Sequence, residues 1–264
     1  MRLRRALTAI VFACAAGTGS AAAAACGPLT VAMYEHGALY YRSGEQWTGI
    51  DKDIVEELAR RTGCELRMTR ESRIRIWTML KEGTLDMTMS GIPTPEREEF
   101  ARFTPYLQAR NMLLVRHDFA RNAATLEQVA AQPDLKVAVI KGFKHGTSYD
   151  AWLERLRKQG RVYEAPDYAT LVRLFQHGRV QAIFQLSSNI DALLRDSALA
   201  ARFRVLDLVP RENVLGAMVV SRLVPEASAV KLEQALRAMR EDGAMKAIME
   251  RHVSPERAQS MLVR

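Results

Sequence analysis

The sequence predicts an α/β protein of two similar lobes, each a mainly parallel sheet flanked by helices, joined by two crossing segments. Three observations lead there. Short apolar segments of strand composition alternate with amphipathic stretches of helical period, that alternation runs twice along the chain, and an extended stretch, YLQARNMLLVRHD, separates the two runs. The 264 residues are 48% apolar and 26% charged, with both signs interspersed, which suits two packed cores and argues against disorder.

The N-terminus stands apart from this pattern. MRLRR is basic, ALTAIVFACAAG is a short apolar run and SAAAAA offers small residues for cleavage, so residues 1–25 are expected to be a secretory signal peptide and the mature protein periplasmic. A membrane anchor would need a longer apolar run. Removing this stretch takes away three arginines, leaving 35 basic against 30 acidic residues and a formal charge of +5 rather than +8. What remains forms no basic run interleaved with aromatics, which argues against nucleic acid as a partner.

In order, PLTVAMYEH reads as a strand, GIDKDIVEELARRTG as an amphipathic helix closed by Gly63, and CELRMTR as a strand. RIRIWTMLKEG is a helix and LDMTMS a strand. Asp51 or Asp53 near the start of the first helix, and Arg60 and Arg61 near its end, suit the helix dipole. After the extended stretch the series repeats: strand DLKVAVIKG, helix HGTSYDAWLERLRKQG, strand RVYEAP, helix YATLVRLFQHG, strand VQAIFQL and helix SSNIDALLRDS. FRVLDLV and NVLGAMVVSR follow, then one long C-terminal helix through VPEASAVKLEQALRAMREDGAMKAIMERHV.

Cys26 and Cys64 each stand just before a strand. If those strands are parallel neighbours, their N-terminal ends lie side by side and a disulfide fits an oxidising compartment. Lipid attachment at Cys26 and two unpaired thiols are the alternatives.

The order of GIDKDIVEELARRTG, LKEGTLDM, TPEREEFARFTPYL, KGFKHGTSYD and REDGAMKAIMERHV resembles the type II periplasmic solute-binding proteins, family 3, the amino-acid-binding-like group that serves ABC importers. The resemblance covers nearly the whole mature chain. It implies lobe one over 26–107 and 213–264, lobe two over 108–212, hinge crossings near Gln108–Asn111 and Val209–Asn213, and a ligand between the lobes. It also implies a monomer, a membrane ABC permease as partner, and no cofactor.

The resemblance implies that Arg97, in TPER, grips the ligand's carboxylate, which a planar guanidinium does through two parallel hydrogen bonds; a surface arginine pairing with Glu96 or Glu98 is the alternative. Ser90 and Thr94 offer hydroxyls on the same turn. In lobe two, Thr147 and Ser148 open a helix whose free N–H groups suit an anion, or are simply caps. Tyr34 and Trp47 lie where family members stack on ligands, with burial as the ordinary alternative. Trp77 and Trp152 read as core.

Departures from the family narrow the ligand. Gln181 and Leu186 stand where α-amino-acid binders carry the two aspartates of the lobe-two segment, the second of which holds the ammonium. Leu186 cannot do so, while Gln185 and Ser187 offer neutral hydrogen bonds. Ile92 replaces a hydroxyl. Arg73 and Arg75 fall near the family's aromatic position, so positive charge there either replaces an aromatic wall or faces solvent. The expected ligand is therefore a small carboxylate or other anion, with Glu35 the one residue that would hold an amine.

No catalytic unit is recognisable. G-x-S-x-G and H-E-x-x-H are absent, the five histidines are scattered, and Glu35, Glu164 and His145 are isolated candidates for acid or base. The expectation is a binding protein rather than an enzyme. A module that signals to a membrane sensor and a periplasmic lyase on the same fold are the alternatives.

Overall fold

The computed structural model describes residues 26–190 and 200–263. The expected signal peptide lies outside them, as does most of the helix expected over 187–197.

Strand β1 (Leu29–Met33) leads through a short hairpin, β2 (Tyr41–Ser43) and β3 (Gln46–Thr48), into helix α1 (Ile50–Thr62). Then come β4 (Leu66–Arg70), α2 (Arg73–Glu82), β5 (Met87–Gly91), the single turn α3 (Pro95–Glu98) and β6 (Ala101–Ala109). The second series starts with β7 (Asn111–Arg116) and a short helix, α4 (Leu126–Ala130). It continues through β8 (Val137–Ile140), α5 (Thr147–Lys158), β9 (Val162–Ala165), α6 (Tyr168–Gln176), β10 (Ala182–Leu186) and β11 (Phe203–Leu206). The chain returns in β12 (Val214–Ser221) and ends in α7 (Glu226–Glu241), α8 (Ala244–Glu250) and α9 (Pro255–Met261).

Two five-stranded sheets result. The first has the order β4-β1-β5-β12-β6 and the second, read from its other edge, β9-β8-β10-β7-β11. The orders correspond position by position. In each, one strand runs against the other four: β12 is antiparallel to β5 and β6, and β7 is antiparallel to β10 and β11. The reversed strand is the one the chain enters after changing sheets, near Arg110 going out and between Leu206 and Val214 coming back.

Each sheet is covered on both faces, as parallel strands require. In α1, Ile50, Ile54, Val55 and Leu58 are buried at helical spacing beside the α7 core residues Leu232 and Leu236, while Ile76, Trp77 and Leu80 of α2 cover the other face. Trp152, Leu153 and Leu156 of α5, and Leu171 and Phe175 of α6, do the same for the second sheet.

Cys26 and Cys64 form a disulfide with Cα atoms 5.0 Å apart, at the start of the parallel pair β1 and β4. The single long C-terminal helix is corrected by the structure. Gly243, at φ 84°, adopts the left-handed conformation that only glycine takes freely, so the chain turns there and α8 starts on a new axis. Within the Pro-Thr-Pro segment, Pro95 opens α3 and the Thr94 hydroxyl accepts the Arg97 N–H.

Candidate functional site

Loops at the carboxyl ends of both sheets' strands meet, the usual place for ligands in α/β folds. From the first sheet come Tyr34 to His36 after β1, Arg73 at the first turn of α2, and Ser90 to Arg97 after β5. From the second come Gly142 to His145 after β8 and Gln185 to Asn189 at the end of β10. Two hydrogen bonds tie the lobes here: Arg97 Nη2 donates to the Gly142 carbonyl at 2.9 Å, and the Ala38 N–H to Asn189 Oδ1 at 3.0 Å.

Arg73 and Arg97 are the dominant charges. Their exposures are 2% and 7%, and both guanidiniums lie over the Trp77 ring, 4.8 and 3.8 Å from its centroid. Arg73 also stacks on Tyr34 at 4.1 Å. Arg97 Nη1 donates to the Ile92 carbonyl, Arg73 Nη2 to the Ser90 carbonyl. Arg73 Nε and Nη1 have no hydrogen-bond partner among the described residues, and neither arginine forms an ion pair there. Burial lowers the pKa of both arginines; at Arg97 the adjacent Arg73 charge adds to it. Trp77, read as plain core, is the platform under both charges, and its indole N–H has no hydrogen-bond partner among the described residues.

Ser90 is a hub rather than a free hydroxyl. Its Oγ donates to Asp51 at 2.8 Å, its N–H donates to Tyr106 Oη at 3.1 Å, and its backbone holds φ 53°, a strained value for serine. Tyr106 donates to the same Asp51 carboxylate. Burial pushes Asp51 up to about 7, against the hydrogen bonds from Tyr106 and Ser90 and the Arg73 charge. Asp51 thus serves this network and not merely the helix dipole; Asp53 instead pairs with His252 and Arg251. Burial also drives the Tyr34 hydroxyl up to about 12.

Other expected residues are dispersed. Of the two readings for Arg75, the structure has the solvent-facing one: it is exposed and pairs with Glu71 at 3.2 Å, because two residues along a helix turn about 200° and only Arg73 faces inward. Trp47 stacks on Tyr40 at 5.1 Å beneath Arg70, and with Glu35 lines an open groove of about 550 Å³ at the cleft mouth. Burial, then the Asp167 charge, raises the Glu35 carboxyl. Thr147 is exposed, and the Ser148 N–H donates to the Glu212 carboxylate at 3.1 Å, so this helix end has an internal anion. The Ser187 hydroxyl accepts the Arg110 N–H at 3.2 Å, pinning the crossing. Leu186 is buried among apolar side chains of the first lobe.

Gln185 does face the cleft, with 1% exposure. Sequence reasoning missed His36, Phe143 and Asn189 as cleft residues. His36 packs between Tyr34 and Phe143, with ring centroids 5.8 and 4.9 Å away. His36 stands two residues beyond Tyr34 and Asn189 four beyond Gln185, so the same loops carried the signal. Glu164 is exposed and paired with Arg157, away from any acid-base partner. Among the described residues no group of three His, Cys, Asp or Glu gathers as a metal site, and no helix is long and apolar enough to cross a membrane.

A family model, that of the bacterial extracellular solute-binding proteins, family 3, matches residues 29–255. The chain belongs to this family. Its fold is the two-lobed type II architecture of these solute-binding proteins. A solved arginine-, lysine-, histidine-binding protein from Geobacillus stearothermophilus superposes with a TM-score of 0.72 at 16% identity, over 88% of this chain and 99% of that one. An ancestral amino-acid-binding protein, described as a precursor of cyclohexadienyl dehydratase, gives 0.71 at 23% identity, over 86% and 96%. At such identities these likenesses bear on fold alone. In sequence, the chain is 30% identical over 157 residues to the membrane-bound lytic murein transglycosylase F of Alcanivorax borkumensis, which is 58% of this chain and 33% of that one. The chain spans about a third of the length of the curated relatives it matches. The solute-binding family thus includes the fold and order of elements seen here, while the cationic pair on Trp77 is read from this chain's own residues.

Proposed function

We propose that this protein is the periplasmic solute-binding component of an ABC importer, and that it holds a small carboxylate-bearing ligand between its lobes. The observation that carries the reading is the pair of buried guanidiniums on Trp77. Arg73 and Arg97 lack an ion-pair partner among the described residues, and Arg73 keeps two unpartnered nitrogens. Burying a cation without a counter-charge is costly, and a carboxylate supplies both the charge and the bidentate geometry. Asp51 compensates only in part, because burial holds it near half-protonation at neutral pH.

The lobes in this reading are 26–107 with 213–264, and 108–212, hinged near 108–111 and 209–213. Closure brings Arg97 to the Gly142 carbonyl and Asn189 to Ala38, and a ligand touching both lobes stabilises that arrangement selectively. The expected leader and the family's extracellular character support a periplasmic monomer delivering its ligand to a membrane permease. Binding rather than catalysis is favoured because the buried acid, Asp51, has its oxygens engaged by Ser90 and Tyr106.

A thermal-shift screen of amino acids, hydroxy acids, dicarboxylates and sugar acids tests the reading, since a ligand that binds the folded state raises its melting temperature. Stabilisation by carboxylates that vanishes in Arg97→Ala is expected. Stabilisation confined to compounds without a carboxylate would reject it.

A further inference from the structure

Beside the two arginines lies a cavity of about 10 Å³, room for a single water, walled by His36, Phe143, Asn111, His145, Gln185 and Leu186. Polar atoms line it without partners. Both ring nitrogens of His36 and Nε2 of Gln185 make no hydrogen bond among the described residues, although the two side chains are only 5% and 1% exposed. Such groups are rarely left unpaired in a native interior.

The surrounding structure aims them. Tyr168 Oη and Asn189 Nδ2 both donate to Gln185 Oε1, at 3.2 and 3.3 Å, which leaves Nε2 as the end without a partner. Asn189 in turn accepts the Ala38 N–H, and Gly37, at φ 52°, lets its side chain approach to where a Cβ would stand 2.1 Å away. The His36 backbone N–H donates to the Tyr40 carbonyl at 2.8 Å, fixing the loop.

Burial, then the charge of Arg73, lowers the His36 ring to about 3, so at neutral pH it offers one N–H and one bare nitrogen. Gln185 adds two N–H donors. This set matches an uncharged group that donates or accepts hydrogen bonds. An ammonium would meet Leu186 and the nearby guanidiniums instead of a carboxylate.

We propose that His36 and Gln185 form a neutral polar subsite that takes a hydroxyl, carbonyl or carboxamide of an acid whose carboxylate lies on Arg73 and Arg97. The ligand class is then a hydroxy or oxo acid rather than an amino acid. This assignment rests on the carboxylate reading above.

The test is calorimetric titration with matched sets of three- to six-carbon acids, unsubstituted, hydroxy, oxo and amino, together with the amides of the hydroxy acids. Wild type is compared with Arg97→Ala, His36→Phe and Gln185→Met, the last two changing different lobes so that a folding failure in one leaves the other. A hydroxy or oxo acid should bind wild type at least about tenfold more tightly than its unsubstituted and amino counterparts, and that ratio should fall to about threefold or less in His36→Phe and Gln185→Met. Arg97→Ala should weaken all acids together. A ratio unchanged in both subsite variants, or an amino acid as the tightest ligand of wild type, overturns the subsite while leaving the carboxylate reading standing. Amides that bind and lose affinity in His36→Phe, with no acid binding, would keep the subsite and reject the carboxylate. Binding by neither set rejects both.

Discussion

Asp51→Asn should alter the pH dependence of stability in a direction opposite to that of most carboxylates. Asp51 is 2% exposed, accepts from Ser90 and Tyr106, and is pushed by burial from 3.8 up to about 7. Its folded-state pKa lies above its unfolded one, so between those values the folded protein binds more protons. The contribution to stability therefore falls as pH rises through that window. The full span corresponds to about 4 kcal/mol, at 1.36 kcal/mol for each tenfold change in proton affinity. Asparagine fills the same space without titrating. Urea denaturation of both proteins at pH 4, 6 and 8, followed by circular dichroism, isolates this group by difference. The stability of wild type relative to Asp51→Asn should drop by about 3–4 kcal/mol from pH 4 to pH 8. A difference constant to within about 0.5 kcal/mol would refute the argument that a buried, protonatable carboxyl sits under the cleft.

Three further outcomes are expected. His36 is lowered from 6.5 to about 3, so here the unfolded state binds the extra proton and the contribution rises with pH through that window; His36→Phe should be relatively more stable at pH 4 than at pH 7, read from the same denaturation curves. Reducing Cys26–Cys64, which closes a sequence separation of 38, should lower stability by about 4 kcal/mol on the chain-entropy account, measured by urea denaturation with and without reductant. Gly37→Ala puts a Cβ against Asn189 at positive φ, so it should break the Ala38–Asn189 link and cost about 1–3 kcal/mol in the same assay.

Much of the scaffold was legible because period and punctuation act locally. The two series of strands and helices, the crossing stretch, and the neighbouring starts of β1 and β4 that bring Cys26 to Cys64 all follow from patterning. The C-terminal helix failed because a continuous apolar stripe from Val224 to Val253 masks a turn made by one left-handed glycine, Gly243. Of the site, Arg73 and Arg97 stood out as charges at element starts, yet their common support did not. Trp77 occupies an apolar helix position, and spacing alone does not distinguish a core indole from one under two cations. Ser90 and Asp51 are 39 residues apart and meet only when β5 and α1 pack together, with Tyr106 of β6 as a second donor to the same carboxylate. Glu212 reaches the α5 N-terminus because the chain passes there on its way back to the first sheet, a contact across 64 residues.

The central claim is that a carboxylate lies on the guanidinium pair. The most direct measurement is the calorimetric dissociation constant of the best carboxylate from the thermal-shift screen, for wild type and for Arg97→Ala, with circular dichroism to verify that the variant is folded. Losing a charge-assisted contact in a closed cleft should cost about 2–4 kcal/mol, so the account predicts affinity weakened by at least about tenfold. An unchanged dissociation constant in a folded Arg97→Ala protein would contradict it.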